Sequence, residues 1–138
     1  MKSPLNTTVK KPSILTFPSK IESVLLIDSN EIDIFVNSKM LKLYGVADIV
    51  SFKNANDALL HLKGKNVKYQ LILIDIYLPV INGFEFIDKF NKLELCKSQG
   101  EVCILSASVD PMHRKIAAQR KINFIEKPLK IENLIKSF

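Results

Sequence analysis

Five short apolar runs, each followed by a segment of helical periodicity, occupy the chain from residue 24 to its end. The runs cover residues 24–27, 49–52, 71–74, 102–105 and 123–125. Neighbouring strands joined by a helix-length crossover run parallel, because a tight hairpin can only join antiparallel strands. The alternation therefore predicts a parallel sheet between layers of helices, and right-handed crossovers leave few topologies. The fold class read from the pattern is α/β, a doubly wound (βα)5 domain.

The intervening segments carry apolar stripes of unequal strength. Ile32, Phe35, Val36, Met40 and Leu43 form one, closed by Gly45 in the helix-terminating position. Ala55, Ala58, Leu59 and Leu62 form a second, closed by Gly64. Phe86 or Ile87, with Phe90 and Leu93, form a third. Met112, Ile116 and Ala117 are a weaker fourth, and Ile131, Leu134, Ile135 and Phe138 span barely two turns.

The third run, Leu71-Ile72-Leu73-Ile74, reads as a strand buried on both faces. It leads into a single carboxylate, Asp75, before the chain breaks at Pro79 and Gly83. Open α/β sheets bind ligands at the carboxyl ends of their strands, which is where this acid falls. Three other runs also end in chemistry-bearing residues: Asp28, then Ser106, then Glu126-Lys127-Pro128. Taken singly, Ser106 and Lys127 are ordinary strand-end polar residues. Taken together, two carboxylates, a hydroxyl and an ammonium converge on one crevice.

That set suits phosphoryl transfer onto a carboxylate. Asp75 is the candidate nucleophile, forming an aspartyl phosphate. Asp28 helps hold a divalent cation, Mg²⁺ being the hard ion suited to oxygen ligands. The cation and Lys127 neutralise charge on the phosphoryl oxygens, and Ser106 donates a hydrogen bond to them.

Charge and cysteine content exclude several other classes. Residues 1–20 hold four lysines, three prolines and no acid, and lack the apolar run of a secretory signal. They read as a flexible basic tail carrying +4 of the formal +6. The +2 left on residues 21–138 gives no argument for nucleic-acid binding, and no apolar run approaches the roughly 18 residues of a membrane span. Cys96 and Cys103 lack metal-ligand spacing, so a reducing, cytoplasmic setting is expected. His61 and His113 read as isolated residues exposed on helices.

Taken in order, Val24-Leu25-Leu26-Ile27-Asp28, Leu71 to Asp75 with Pro79 and Gly83, Ile104-Leu105-Ser106-Ala107, and Phe124-Ile125-Glu126-Lys127-Pro128 resemble the receiver domain of two-component response regulators, of the stand-alone chemotaxis type. The resemblance covers residues 21–138. It implies a flavodoxin-like sheet of strand order 2-1-3-4-5, with Asp75 as phosphoacceptor, Ser106 as switch hydroxyl, Phe124 as switch aromatic and Lys127 as the phosphate-contacting lysine. It further implies Mg²⁺ held by Asp28, Asp75 and the carbonyl of Tyr77, and a cis peptide before Pro128. Tyr77 and Ser108 occupy positions that modulate dephosphorylation in the family; a bulky Tyr77 either shields the acyl phosphate or merely covers the loop. The implied partners are a sensor histidine kinase or histidine phosphotransfer protein and a downstream protein target, with the chain a monomer or weak homodimer. No output domain is expected after residue 138.

One position departs from the pattern. Ser29 stands where the family usually has a second acid, and a neutral hydroxyl is a weaker ligand for a hard cation. Asn30, Glu31 and Asp33 are nearby, but Glu31 and Asp33 are expected to begin the first helix, where acids suit the helix dipole. Two functions of different class follow: a phosphorylatable receiver, or a degenerate receiver acting as a phosphorylation-independent interaction module. A third reading, a small hydrolase with Asp75 as nucleophile, lacks a second acid at Tyr77 and any lid to enclose a substrate.

Overall fold

The computed structural model describes residues 21–136, so the expected basic tail and Phe138 lie outside the described residues. The chain alternates without exception: β1 (Ser23–Ile27), α1 (Glu31–Leu43), β2 (Asp48–Phe52), α2 (Ala55–Leu62), β3 (Leu71–Ile74), α3 (Gly83–Lys92), β4 (Glu101–Ser106), α4 (Pro111–Gln119), β5 (Asn123–Glu126) and α5 (Ile131–Lys136). All strand pairs are parallel and the order is β2-β1-β3-β4-β5, as expected for a flavodoxin-like sheet.

Two apolar layers follow from the period-2 alternation of the strands. Leu25, Ile27, Ile72, Ile74 and Ile104 face one side and pack with Ala58, Leu59 and Leu62 of α2, Phe86 and Phe90 of α3, and Ala117 of α4. Val24, Leu26, Leu73, Leu105 and Ile125 face the other, against Leu41 of α1 and Ile131 and Leu134 of α5. β3 sits at the centre with all four side chains buried, each contributing roughly 1.5–3 kcal/mol. Cys103 lies in this interior and burial pushes its thiol up to about 12, which removes it as a nucleophile.

Four helices start from the same device. Asn30, Asn54, Asn82 and Asp110 each accept a backbone N–H from the first turn of the helix that follows. Asn82 and Glu85 complete a reciprocal capping box at the start of α3. Gly83 follows at once because the helix backbone lies against the strand end: a Cβ at that position would sit 2.5 Å from the carbonyl oxygen of Asp75.

The structure corrects the reading of α1. Its apolar stripe points outward, with Ile32 73% and Phe35 63% exposed and Val36 and Leu43 also in solvent. The buried residues are Asn37 and Leu41, with Met40 half-buried. Asn37 turns inward because its Oδ1 accepts the N–H of buried Leu129, 3.3 Å away. Periodicity cannot register a polar residue placed inside by a distant backbone donor. Replacing Asn37 with alanine is expected to leave that N–H without an acceptor and destabilise the fold by about 1–3 kcal/mol. Urea unfolding of the variant against the native chain checks this. Gly45 does terminate α1, with φ at 94°. In the other helices the expected core positions are buried, except that Ile116 and Ile135 are half-buried and Leu93 and Met112 stay exposed.

Candidate functional site

The sheet delivers its acids at one level. The amide of Asp28 donates to Phe52 O at 3.0 Å, that of Asp75 to Ile27 O at 2.9 Å, and that of Lys127 to Ser106 O at 3.0 Å. Each residue is thus the first past its strand, held by the last rung of the ladder. Asp28 and Asp75 are each 6% exposed, and Ser106 is fully buried.

Lys127 organises the crevice. Its Nζ lies 2.6 Å from Asp28 Oδ2, 2.9 Å from Asp33 Oδ2 and 3.3 Å from Asp75 Oδ2. The second oxygen of each buried carboxylate accepts a backbone amide: Asn30 N–H at 2.9 Å for Asp28, Ile76 N–H at 2.8 Å for Asp75. Both are therefore anchored at each end, with no rotamer left free.

Asp33 is the member that sequence reasoning set aside. It begins α1 as expected, yet from the third helical position it leans over the same lysine. Three carboxylates and one ammonium leave a formal −2, the balance that an intact acidic pair would have given. The available signal was spacing: the cap at Asn30 starts the helix two residues after Asp28, so its first turn rises beside the crevice.

Charge in the crevice is imperfectly compensated. Burial pushes the Asp28 carboxyl above its ordinary value, the nearby Asp75 charge adds to that, and Lys127 only partly offsets it. Burial opposes the Lys127 ammonium too, but hydrogen bonds to Asp28 and Asp33 and the charges of Asp75 and Asp28 outweigh it, so its pKa is raised. One cation is shared by three anions, and Asp28 bears the deficit.

The remaining expected residues flank this cluster. Ser106 Oγ accepts the N–H of Ser108 at 3.2 Å, so the hydroxyl is engaged beside the carboxylates without a hydrogen bond to them. Phe124 is half-buried with the Arg114 guanidinium 4.4 Å over its ring. The peptide before Pro128 is cis. The Tyr77 carbonyl accepts from Ser29 Oγ at 3.3 Å, so Ser29 touches the group implied as a backbone metal ligand.

Both histidines differ from expectation. They are half-buried and engaged: His61 Nε2 with Tyr69 OH at 2.7 Å, and His113 Nδ1 with Ser108 Oγ at 2.6 Å. An isolated position in sequence says nothing about a partner across the fold.

The donor set fits a hard divalent ion, since Asp28, Asp33, Asp75 and the Tyr77 carbonyl are all oxygen ligands. Among the described residues no three acidic, histidine or cysteine side chains form a preassembled cage. Lys127 stands between the carboxylates, and an ion would have to draw at least one of them off it. A separate groove of about 690 Å³ between α2 and α3 is lined by Leu59, Leu60, Lys63 and Lys89 and includes none of these acids. Among the described residues no helix is long and apolar enough to cross a membrane.

Residues 24–138 match the model of a family described as response regulator receiver domain. Among curated proteins the chain is similar to hybrid signal transduction histidine kinase L of Dictyostelium discoideum, 30% identical over 129 residues, covering 88% of this chain and 8% of that protein. It is also similar to peroxide stress-activated histidine kinase mak1 of Schizosaccharomyces pombe, 28% identical over 115 residues, 81% of this chain and 7% of that one. The chain thus spans less than a tenth of the length of these relatives. Among solved structures, a two-component response regulator from Cytophaga hutchinsonii is 34% identical, with a TM-score of 0.74 over 86% of this chain and 95% of that one. A response regulator receiver protein from Dyadobacter fermentans is 26% identical, with a TM-score of 0.73 over 83% and 93%.

Proposed function

Because the chain belongs to the response regulator receiver family of two-component signalling, we propose that it accepts a phosphoryl group from a phosphohistidine onto Asp75 and signals through a partner protein. The observation that carries this reading is the clamp of Lys127 on Asp28, Asp33 and Asp75 at the ends of adjacent strands. The partner that supplies the group is a histidine kinase or phosphotransfer protein.

The chemistry follows from the arrangement. A carboxylate oxygen of Asp75 bonds to phosphorus, the phosphorus–nitrogen bond to the imidazole breaks, and its electron pair leaves on nitrogen. Asp75 is held through Ile76 N–H, so the nucleophile reaches the phosphoryl group without reorienting. Lys127, within reach of Asp75, meets the charge on the transferred oxygens. Ser106, freed from Ser108 N–H, is the donor for another of these oxygens and the switch hydroxyl; Phe124 on the neighbouring strand is the switch aromatic. Asp28, Asp75, Asp33 and the Tyr77 carbonyl would hold Mg²⁺, which when bound shields the phosphoryl charge.

Asp33 bears on the choice between the two readings. With a third carboxylate in the crevice, the loss of an acid at position 29 need not abolish metal binding. Asp33→Asn is expected to weaken Mg²⁺ binding about tenfold, whereas Ser29→Ala should change it by less than about twofold. Calorimetric titration with Mg²⁺ measures both. Equal and negligible effects would remove Asp33 from the site.

The degenerate reading draws on the Ser29 hydroxyl bonded to the Tyr77 carbonyl, which places a neutral group where a charged ligand would stand. Incubation with acetyl phosphate over a Mg²⁺ series separates the two. A Mg²⁺-dependent phosphoryl adduct, read by intact mass, is the expected result; its absence at every Mg²⁺ concentration would favour the interaction module.

A further inference from the structure

We propose that His113 is a positioning residue that lengthens the life of the phosphoryl group on Asp75 by tethering Tyr77 through Ser108. This rests on the phosphoacceptor reading above.

Tyr77 lies two residues beyond Asp75 and is 56% exposed, yet its hydroxyl is not loose. It donates to Ser108 Oγ at 3.2 Å. Ser108 is 3% exposed, and its oxygen also accepts the N–H of Asp110 at 3.2 Å. A hydroxyl has two acceptor sites and one hydrogen, and both acceptor sites are now used. The hydrogen of Ser108 therefore goes to His113 Nδ1, 2.6 Å away, which leaves the ring proton on Nε2, facing Asp110 Oδ2 at 4.0 Å. The result is a directional chain, Tyr77 to Ser108 to His113, that ends on the first turn of α4.

Ring contacts reinforce it. The His113 ring meets Tyr77 edge-on with centroids 5.7 Å apart and lies 6.0 Å from that of Phe84, whose side chain is buried. The imidazole thus has ring neighbours on both the loop after Asp75 and α3. The tether joins the loop after Asp75 to the loop after Ser106, the two segments that flank the phosphoryl position. A phenol held across them narrows the approach of water.

Loss of the phosphoryl group requires that approach. A water oxygen bonds to phosphorus, the bond to the Asp75 oxygen breaks, its electron pair returns to the carboxylate, and the water's proton leaves with inorganic phosphate. An untethered ring swings toward solvent and opens the path.

The test loads the whole chain from acetyl phosphate with Mg²⁺, removes the donor, and follows phosphoryl loss by intact mass. His113→Phe keeps the ring but not the acceptor; Tyr77→Phe keeps the ring but not the donor. Each is expected to shorten the half-life about fivefold, the value of one hydrogen bond. The double variant should be no shorter-lived than either single one, because the same tether is cut at both ends. His113→Asn, whose amide oxygen can take the Nδ1 position, should restore the half-life to within about twofold. Thermal unfolding of each variant monitors the fold. Native half-lives in both single variants, additive losses in the double, or no recovery with asparagine would overturn the proposal and leave the phosphoacceptor reading standing. Absence of any adduct on the native chain would overturn both.

Discussion

Asp75→Asn is expected to gain no phosphoryl group from acetyl phosphate at any Mg²⁺ concentration, while the native chain gains one. An amide is no nucleophile toward phosphorus, so the effect is complete rather than graded. The substitution is otherwise mild. The asparagine oxygen can still accept Ile76 N–H, and the side chain keeps its size in a site that is 6% exposed. It also removes one of three anions sharing Lys127, so the fold should hold within about 1 kcal/mol. Intact mass and peptide mapping supply the readout. An adduct that survives the substitution and maps to another residue would move the phosphoacceptor away from Asp75.

Lys127→Met carries the second large effect, on stability as well as chemistry. The ammonium is 10% exposed and compensates two carboxylates that are themselves buried, so its loss leaves Asp28 and Asp75 uncompensated. Breaking a buried pair in this way destabilises by about 3 kcal/mol. Asp33 adds little to that figure, being 37% exposed and open to solvent screening. The sign with pH follows from the carboxylates. Burial already raises the Asp28 carboxyl, and loss of Lys127 raises it further, so acidification neutralises the stranded charge. The deficit should therefore be largest near neutral pH and shrink as pH falls toward the carboxylate range. Mg²⁺ should restore part of it by replacing the missing positive charge. Urea unfolding with and without Mg²⁺ at two pH values measures both; a stability loss that is indifferent to pH and metal would assign Lys127 a packing role only.

The sheet was readable because its signal is repetitive. Each of the five runs is mostly apolar, short and followed by a helix-length segment, and parallel pairing follows from connection length alone. Asp28, Asp75 and Lys127 were readable for the same reason, since a residue that follows a strand must emerge at its end. What sequence could not convey depends on partners far along the chain. Asn37 is buried for the sake of Leu129, ninety-two residues away, and that contact turned the α1 stripe outward. Asp33 belongs to the site because of Lys127, ninety-four residues away. Ser108 and His113, five residues apart, carry no joint signal in sequence, and only the geometry of the turn into α4 joins them. The four asparagine and aspartate caps were legible in principle and mark every helix start from α1 to α4.

The amide of Asp75 closes the hydrogen-bond ladder between the interior strands β1 and β3, which gives the site a particular relation to the molecule's motions. Exchange of that amide hydrogen with solvent requires the middle of the sheet to come apart, so it should be among the slowest in the chain and share the free energy of global unfolding. Asp75 is consequently part of the stationary frame. Any rearrangement that follows a charge placed on Asp75 has to be taken up by segments farther along the sheet, the turn after Ser106 and the edge strand bearing Phe124. A receiver built this way keeps its target still and lets its messenger move.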